Sequence, residues 1–145
     1  MWTYEHSIEA GADPAIVHRL LTDAATWPEW NSGVERIDME GPFAAGTWAT
    51  MHLPGQEALR FRLVWVEAGR GFEDETPIPG TDVVVRVRHA LEPLDGGRTR
   101  VTYACSIDGI GADELGPEFG PAITGDFPDV MAALAARAEA LARAG

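Results

Sequence analysis

Four side chains in this sequence have the types and spacing to handle protons: His89, Tyr103, His6 and Asp74. His89 interrupts a row otherwise built of Val83, Val85, Val87 and Leu91, which is one face of a strand at a period of two. An imidazole turned inward there meets either a partner in a filled core or an internal cavity, because leaving it unpaired costs about 1–3 kcal/mol. Asp95-Gly96-Gly97 marks a hairpin. Counting through a three-residue loop sets Leu91 opposite Val101 and His89 opposite Tyr103. Two uses of that pair stay open. It can be a mutually satisfied core contact, or His89 can exchange a proton with a bound carbonyl, for which imidazole is suited near neutral pH.

His6 shares a face with Trp2, Tyr4 and Ile8. Three inward polar rings would form a polar corner in an apolar bowl, the usual composition of a small-molecule site. The alternative sets them at a cavity mouth wetted by solvent. Asp74 sits inside Glu73-Asp74-Glu75. With Phe72 inward, period two sends Asp74 and Thr76 inward and the two glutamates to water. A buried Asp74 with a raised pKa could serve as acid or base. However, a tight turn directly after Thr76 pairs this stretch with Asp82–Val84, which predicts about 15 Å or more between Asp74 and His89. That spacing argues against an Asp–His dyad and for Asp74 as a turn cap or inter-strand hydrogen bonder.

Cys105 falls on the inward face near Val87 and reads as a small apolar filler. His18 and His52 join no metal-ligand spacing, so no metal is expected. Gly109–Gly125 holds no strand–GxxxxGK–helix pattern, and no cofactor is expected either.

The elements that must position these groups follow from periodicity and punctuation. Residues 2–9 alternate as a strand until Gly11. Asp13-Pro14 opens a helix with a capping carboxylate and a proline where no donor is needed. Ile16, Val17, Leu20 and Leu21 stripe that helix, and Asp23 is placed to cap a second short one ending at Trp30. Trp27-Pro28-Glu29-Trp30 makes a rigid knot whose rings either plug the junction of sheet and helices or stack on a ligand. Strands follow over 34–40, 46–53, 58–67, 72–76, 83–91 and the segment carrying Val101 to Ile107. In the third of these, Leu59, Phe61 and Leu63 face one way while Arg60 and Arg62 face the other. Gly109–Gly125 reads as an irregular or broken-helical lead-in, either a lid or a plain loop. Phe127, Val130, Met131, Leu134, Ala138 and Leu141 then recur at helical spacing.

Composition narrows the partners. The 145 residues carry a formal net charge of −12, which repels nucleic-acid phosphates and anionic headgroups. The single cysteine excludes an internal disulfide and fits a reducing compartment. No apolar run of membrane-spanning length exists and no export signal is visible, so a cytoplasmic, non-inserted protein is expected. The length suits one domain over 1–145.

The order of these elements resembles the helix-grip fold of the START and birch-pollen-allergen superfamily (SRPBCC), in its bacterial polyketide cyclase/dehydrase-like group. The residues that carry the resemblance are Asp13-Pro14 with Ile16-Val17 and Leu20-Leu21-Thr22-Asp23, then Trp27-Pro28-Glu29-Trp30. Gly41-Pro42-Phe43 before Gly46-Thr47 fits as well, as do His89, Leu91 and Pro93 before Gly97-Arg98-Thr99 and Val101. The resemblance implies an α+β fold: a curved seven-stranded antiparallel sheet around a long C-terminal helix, with two short helices after the first strand. It also implies a pocket for a polyketide-, aromatic- or lipid-like molecule. Candidate ligand contacts are Tyr4 and His6; Trp27 and Trp30; Phe61, Leu63 and Thr76; Val85, Val87 and Cys105; and Phe127, Met131 and Leu134. His89, Tyr103 and Asp74 are the candidate catalytic groups for cyclase- or dehydratase-type chemistry. A non-catalytic carrier or sensor of a hydrophobic ligand, a chaperone-activator-like interaction module, and a homodimer stay open.

Overall fold

The computed structural model describes residues 1–144. Seven antiparallel strands form one sheet in the order β1-β7-β6-β5-β4-β3-β2. They are β1 (Trp2–Ala10), β2 (Arg36–Met39), β3 (Trp48–His52), β4 (Leu59–Glu67), β5 (Gly71–Pro77), β6 (Asp82–Leu94) and β7 (Arg98–Ile110). β2 to β7 are consecutive neighbours, and β1 adds itself beside β7. Alternating burial along β1, β6 and β7 gives the sheet one apolar face, against which the helices pack.

Helix α1 (Pro14–Thr22) begins where Asp13 Oδ1 accepts a hydrogen bond from the Ile16 amide at 3.1 Å. Val17, Leu20 and Leu21 are its buried stripe. A 3₁₀ turn (Ala24–Thr26) leads into the four-residue α2 (Trp27–Trp30). Asp23 does not cap it through its side chain; its carbonyl instead accepts from the Thr26 hydroxyl and amide. Helix α4 (Phe127–Ala144) buries Phe127, Val130, Met131, Leu134, Ala135 and Ala138. Pro128 is its second residue, where a missing amide costs nothing.

Of the two readings of Gly109–Gly125, the irregular loop needs correcting and the helical one is closer. Ala112–Thr124 is a 13-residue helix, α3, despite Pro117 and Pro121 inside it. Each proline removes one intrahelical donor, so packing has to hold the helix. It comes from Gly116 and Gly120, four residues apart on one face and both seated on the Trp2 side chain. A Cβ on Gly120 would lie 2.5 Å from Trp2 Cζ2, and one on Gly116 would collide with Trp2 Cβ. The glycines that looked like loop punctuation are the floor of a groove for an indole.

Candidate functional site

The register across the sheet assembles the site. His89 pairs with Tyr103 and Leu91 with Val101, as the hairpin count predicts. Phe72 lies opposite His89 on one side and His6 opposite Tyr103 on the other. Phe72, His89, Tyr103 and His6 therefore form one inward row over β5-β6-β7-β1. The next row is Leu63, Asp74, Val87, Cys105 and Tyr4.

This register overturns the predicted separation of Asp74 from His89. Pairing begins at Pro77 with Val84, and the loop between them consumes Ile78 to Thr81 rather than folding back directly after Thr76. Asp74 thus faces Val87, one inward step from His89, so the two lie on diagonal sites about 7–8 Å apart at the backbone. Nor does Asp74 act as a cap or inter-strand hydrogen bonder.

A cavity of about 400 Å³ opens over these rows. Asp74, His89, Tyr103, Val85, Val87 and Thr76 contribute from the sheet, Trp27 and Trp30 from α2, and Phe127 and Val130 from α4. Gln56, Ala122 and Asp126 are exposed lining residues and mark its mouth. The walls are a nearly continuous aromatic chain. Phe72 stacks on His89 at 4.0 Å between ring centroids, and His89 meets Tyr103 edge-on at 4.4 Å. Tyr103 meets Phe127 at 5.5 Å, and Trp27 stacks on both Phe61 and Phe72. Trp27 Nε1 donates to the Leu21 carbonyl at 3.1 Å, which fixes one indole of the knot. Trp30 Nε1 is buried without a partner. The two tryptophans therefore both brace the junction and line the cavity.

Three protic groups on the floor lack the partners that would fix their proton state. Burial, reinforced by neighbouring Glu73, pushes the Asp74 carboxyl up to about 8. Asp74 keeps some accessible surface because the cavity lies over it, while protein surrounds it elsewhere. Desolvation drives His89 down to about 3, against a weaker pull from the Phe72 backbone; its Nδ1 is buried and unpartnered. Tyr103 is raised by burial and then by the nearby Asp74. Near neutral pH the floor therefore presents a protonated carboxyl, a neutral imidazole and a phenol. Of the three, Asp74 is the group that titrates nearest neutrality.

Other expected site residues lie elsewhere. Phe61, Leu63, Cys105, Met131 and Leu134 are buried in the core behind the cavity wall. The Cys105 thiol is pushed up to about 11 by desolvation and by Asp74. Tyr4 meets Phe127 edge-on and stacks on Trp2, and His6 is half-buried beside Tyr103 without reaching the cavity. Sequence reasoning missed Asn31, Gln56, Ile123 and Asp126 at or near the mouth; they sit on turns and helix ends, where no periodicity marks a facing. A second recess of about 480 Å³ between the start of α1 and the end of α4, lined by Asp13, Ile16, Arg19 and Leu141, has no aromatic wall. Among the described residues, no three His, Cys, Asp or Glu side chains converge as a metal site, and no helix is long and apolar enough to cross a membrane.

The model of the family described as polyketide cyclase / dehydrase and lipid transport matches residues 1–139. No curated protein matches the chain in sequence. Among solved structures, a Thermobifida fusca protein determined by solution NMR is 24% identical with a TM-score of 0.76, over 97% of this chain and 95% of that one. The di-domain ARO/CYC BexL of the BE-7585A biosynthetic pathway is 18% identical with a TM-score of 0.78, over 96% of this chain and 47% of that one. A Thalictrum flavum norcoclaurine synthase mutant bound to a transition-state analogue is 13% identical with a TM-score of 0.72, over 94% and 92%. At these identities the likeness is one of fold.

Proposed function

Because the chain belongs to the polyketide cyclase/dehydrase and lipid transport family, we propose that its cavity binds a small hydrophobic polyketide-, aromatic- or lipid-like molecule and can perform cyclase- or dehydratase-type proton transfer on it. The observation that carries this reading is the floor: Asp74, His89 and Tyr103 converge under aromatic walls with protons and lone pairs left for a guest. The apolar walls drive uptake at about 25 cal/mol per Å² buried, less the cost of immobilisation.

Chemistry follows from the proton states. Protonated Asp74 and the Tyr103 hydroxyl polarise a carbonyl oxygen. In an aldol-type closure that oxygen takes the Asp74 proton as the new C–C bond forms, and the enol O–H proton returns to the carboxylate. The shape of the cavity selects the folded conformer, which supplies most of the acceleration such reactions need. His89 contributes its neutral ring to the floor against which the guest lies. The non-catalytic carrier reading shares the cavity and is favoured by the lack of any second group titrating near neutrality at its floor.

Native mass spectrometry of the purified protein, with Nile red uptake and displacement, tests the binding half. A co-purifying apolar mass that competes with the dye is expected; no uptake of either would overturn the reading. With a turned-over substrate in hand, Asp74→Asn is expected to cut kcat by about 10²–10⁴. An unchanged kcat leaves only the carrier role.

A further inference from the structure

The cavity is electrostatically one-sided. Every cationic side chain of the chain is an arginine, and none lines the cavity among the described residues. Arg62, Arg86 and Arg88 stand on the same strands but on the convex face, each paired with a glutamate. The charged or ionisable acids that do line the cavity are Asp74 at the floor and Asp126 at the mouth. Around them are the aromatic side chains of Trp27, Trp30, Phe72, Tyr103 and Phe127, a residue class whose exposed ring faces attract cations through their quadrupoles.

We propose that this site selects a protonated amine carried on an aromatic or polycyclic body, with the ammonium group against Asp74 and the rings among the cavity aromatics. The proposal rests on the reading of the cavity as a ligand site and narrows what enters it. A carboxylate or phosphate guest would meet two acids and no cation. A neutral guest gains a hydrogen bond but none of the charge complementarity. The net charge of −12 adds a field that draws cations toward the mouth.

The groups facing Asp74 define the proton balance. Across β4 and β6 lie Leu63 and Val87; His89, Tyr103 and Cys105 stand on the neighbouring inward sites; Asp126 sits at the α3–α4 junction. Glu73 and Glu75 point to the other face, into their arginine pairs. None of the inward groups brings a positive charge, since His89 is held neutral. With Asp74 titrating at about 8, an arriving ammonium group ejects the carboxyl proton to solvent. Below that pH, amine affinity rises about tenfold per pH unit while each binding event releases about one proton.

Isothermal titration with 1-naphthylmethylamine, 1-naphthylmethanol and 1-naphthoic acid tests this, because the three share a ring system and differ in head group. At pH 7 the amine is expected to bind at least about tenfold tighter than the alcohol, with the acid weakest. Titration in two buffers of different ionisation enthalpy should show about one proton released by the amine and none by the alcohol. Asp74→Asn should bring the amine to within about twofold of the alcohol. Acid binding as tight as amine binding, or an amine advantage that survives in folded Asp74→Asn, overturns the proposal. Should that variant not fold, amine affinity of the unaltered protein that stays flat from pH 6 to pH 8 overturns it equally. Binding of the alcohol without the amine sinks only the preference; binding of none of the three sinks the ligand site as well.

Discussion

Three consecutive carboxyl side chains on β5 meet opposite fates on the two faces of the sheet. Glu75 is partly buried, which pushes it up, but the Arg62 and Arg86 guanidiniums together outweigh this and hold it below the ordinary carboxylate range. Glu73 pairs with Arg88 at 3.0 Å. The convex face around them is a lattice in which Arg60 and Arg62 also cover the Trp48 ring and Arg88 covers Trp65. Asp74, between the two glutamates, faces aromatic rings and no cation, and its pKa moves the other way. Identical chemistry is thus spent on surface pairing on one side and kept in reserve on the other. A paired carboxylate has little left to offer a ligand, whereas an unpaired one is costly to the fold and available to chemistry.

The largest expected effect comes from breaking the concave side's packing. Phe72→Ala removes the ring held between Trp27 and His89, and should cost about 3–5 kcal/mol in urea denaturation. Next is Asp74→Asn. A carboxyl whose pKa is raised in the fold makes the native state bind the extra proton, so its contribution to stability falls as pH rises from about 4 to about 8. The variant should match the parent near pH 4 and exceed it at pH 9 by roughly 2–4 kcal/mol, discounted from the full shift because the cavity leaves the group partly open. His89, depressed to about 3, has the opposite slope and loses stability as pH falls below about 6.5. The parent should therefore be nearly flat between pH 4 and pH 6.5, and Asp74→Asn should unmask the histidine's slope there. The smallest effect is Glu75→Gln. Its depressed pKa stabilises above the unfolded value and is lost as pH falls through the folded pKa, so the cost should be below about 1 kcal/mol at pH 7, shrink on acidification and be reduced by salt. A Glu75→Gln loss larger than the Phe72→Ala loss would break the contrast between the faces.

Much of this contrast was legible in period-two alternation. The row Val83 to Leu91, the outward Arg60, Arg62, Arg86 and Arg88, and the His89–Tyr103 pairing follow from strand facing and one hairpin count. What alternation does not carry is the length of an irregular loop. The ladder runs on through Pro77 and the loop is Ile78 to Thr81, a shift from a turn directly after Thr76 that hid the proximity of Asp74 to His89. Burial at the site was equally invisible: whether His89 is charged depends on desolvation by chains that meet it only in the fold. Gly116-Pro117 and Gly120-Pro121 have the composition of a loop, and only the indole that fills their groove makes them helical.

That groove also sets an order of events. Trp2 and the whole of β1 have to wait for β7 and α3, far downstream in the sequence, before either finds its seat. On the ribosome β1 thus emerges ahead of its partner as an orphan edge with an apolar stripe, and its capture is a late long-range step of assembly. Bulking Gly120 to leucine should lengthen that vulnerable interval, seen as a slowed final refolding phase and greater aggregation of nascent chains.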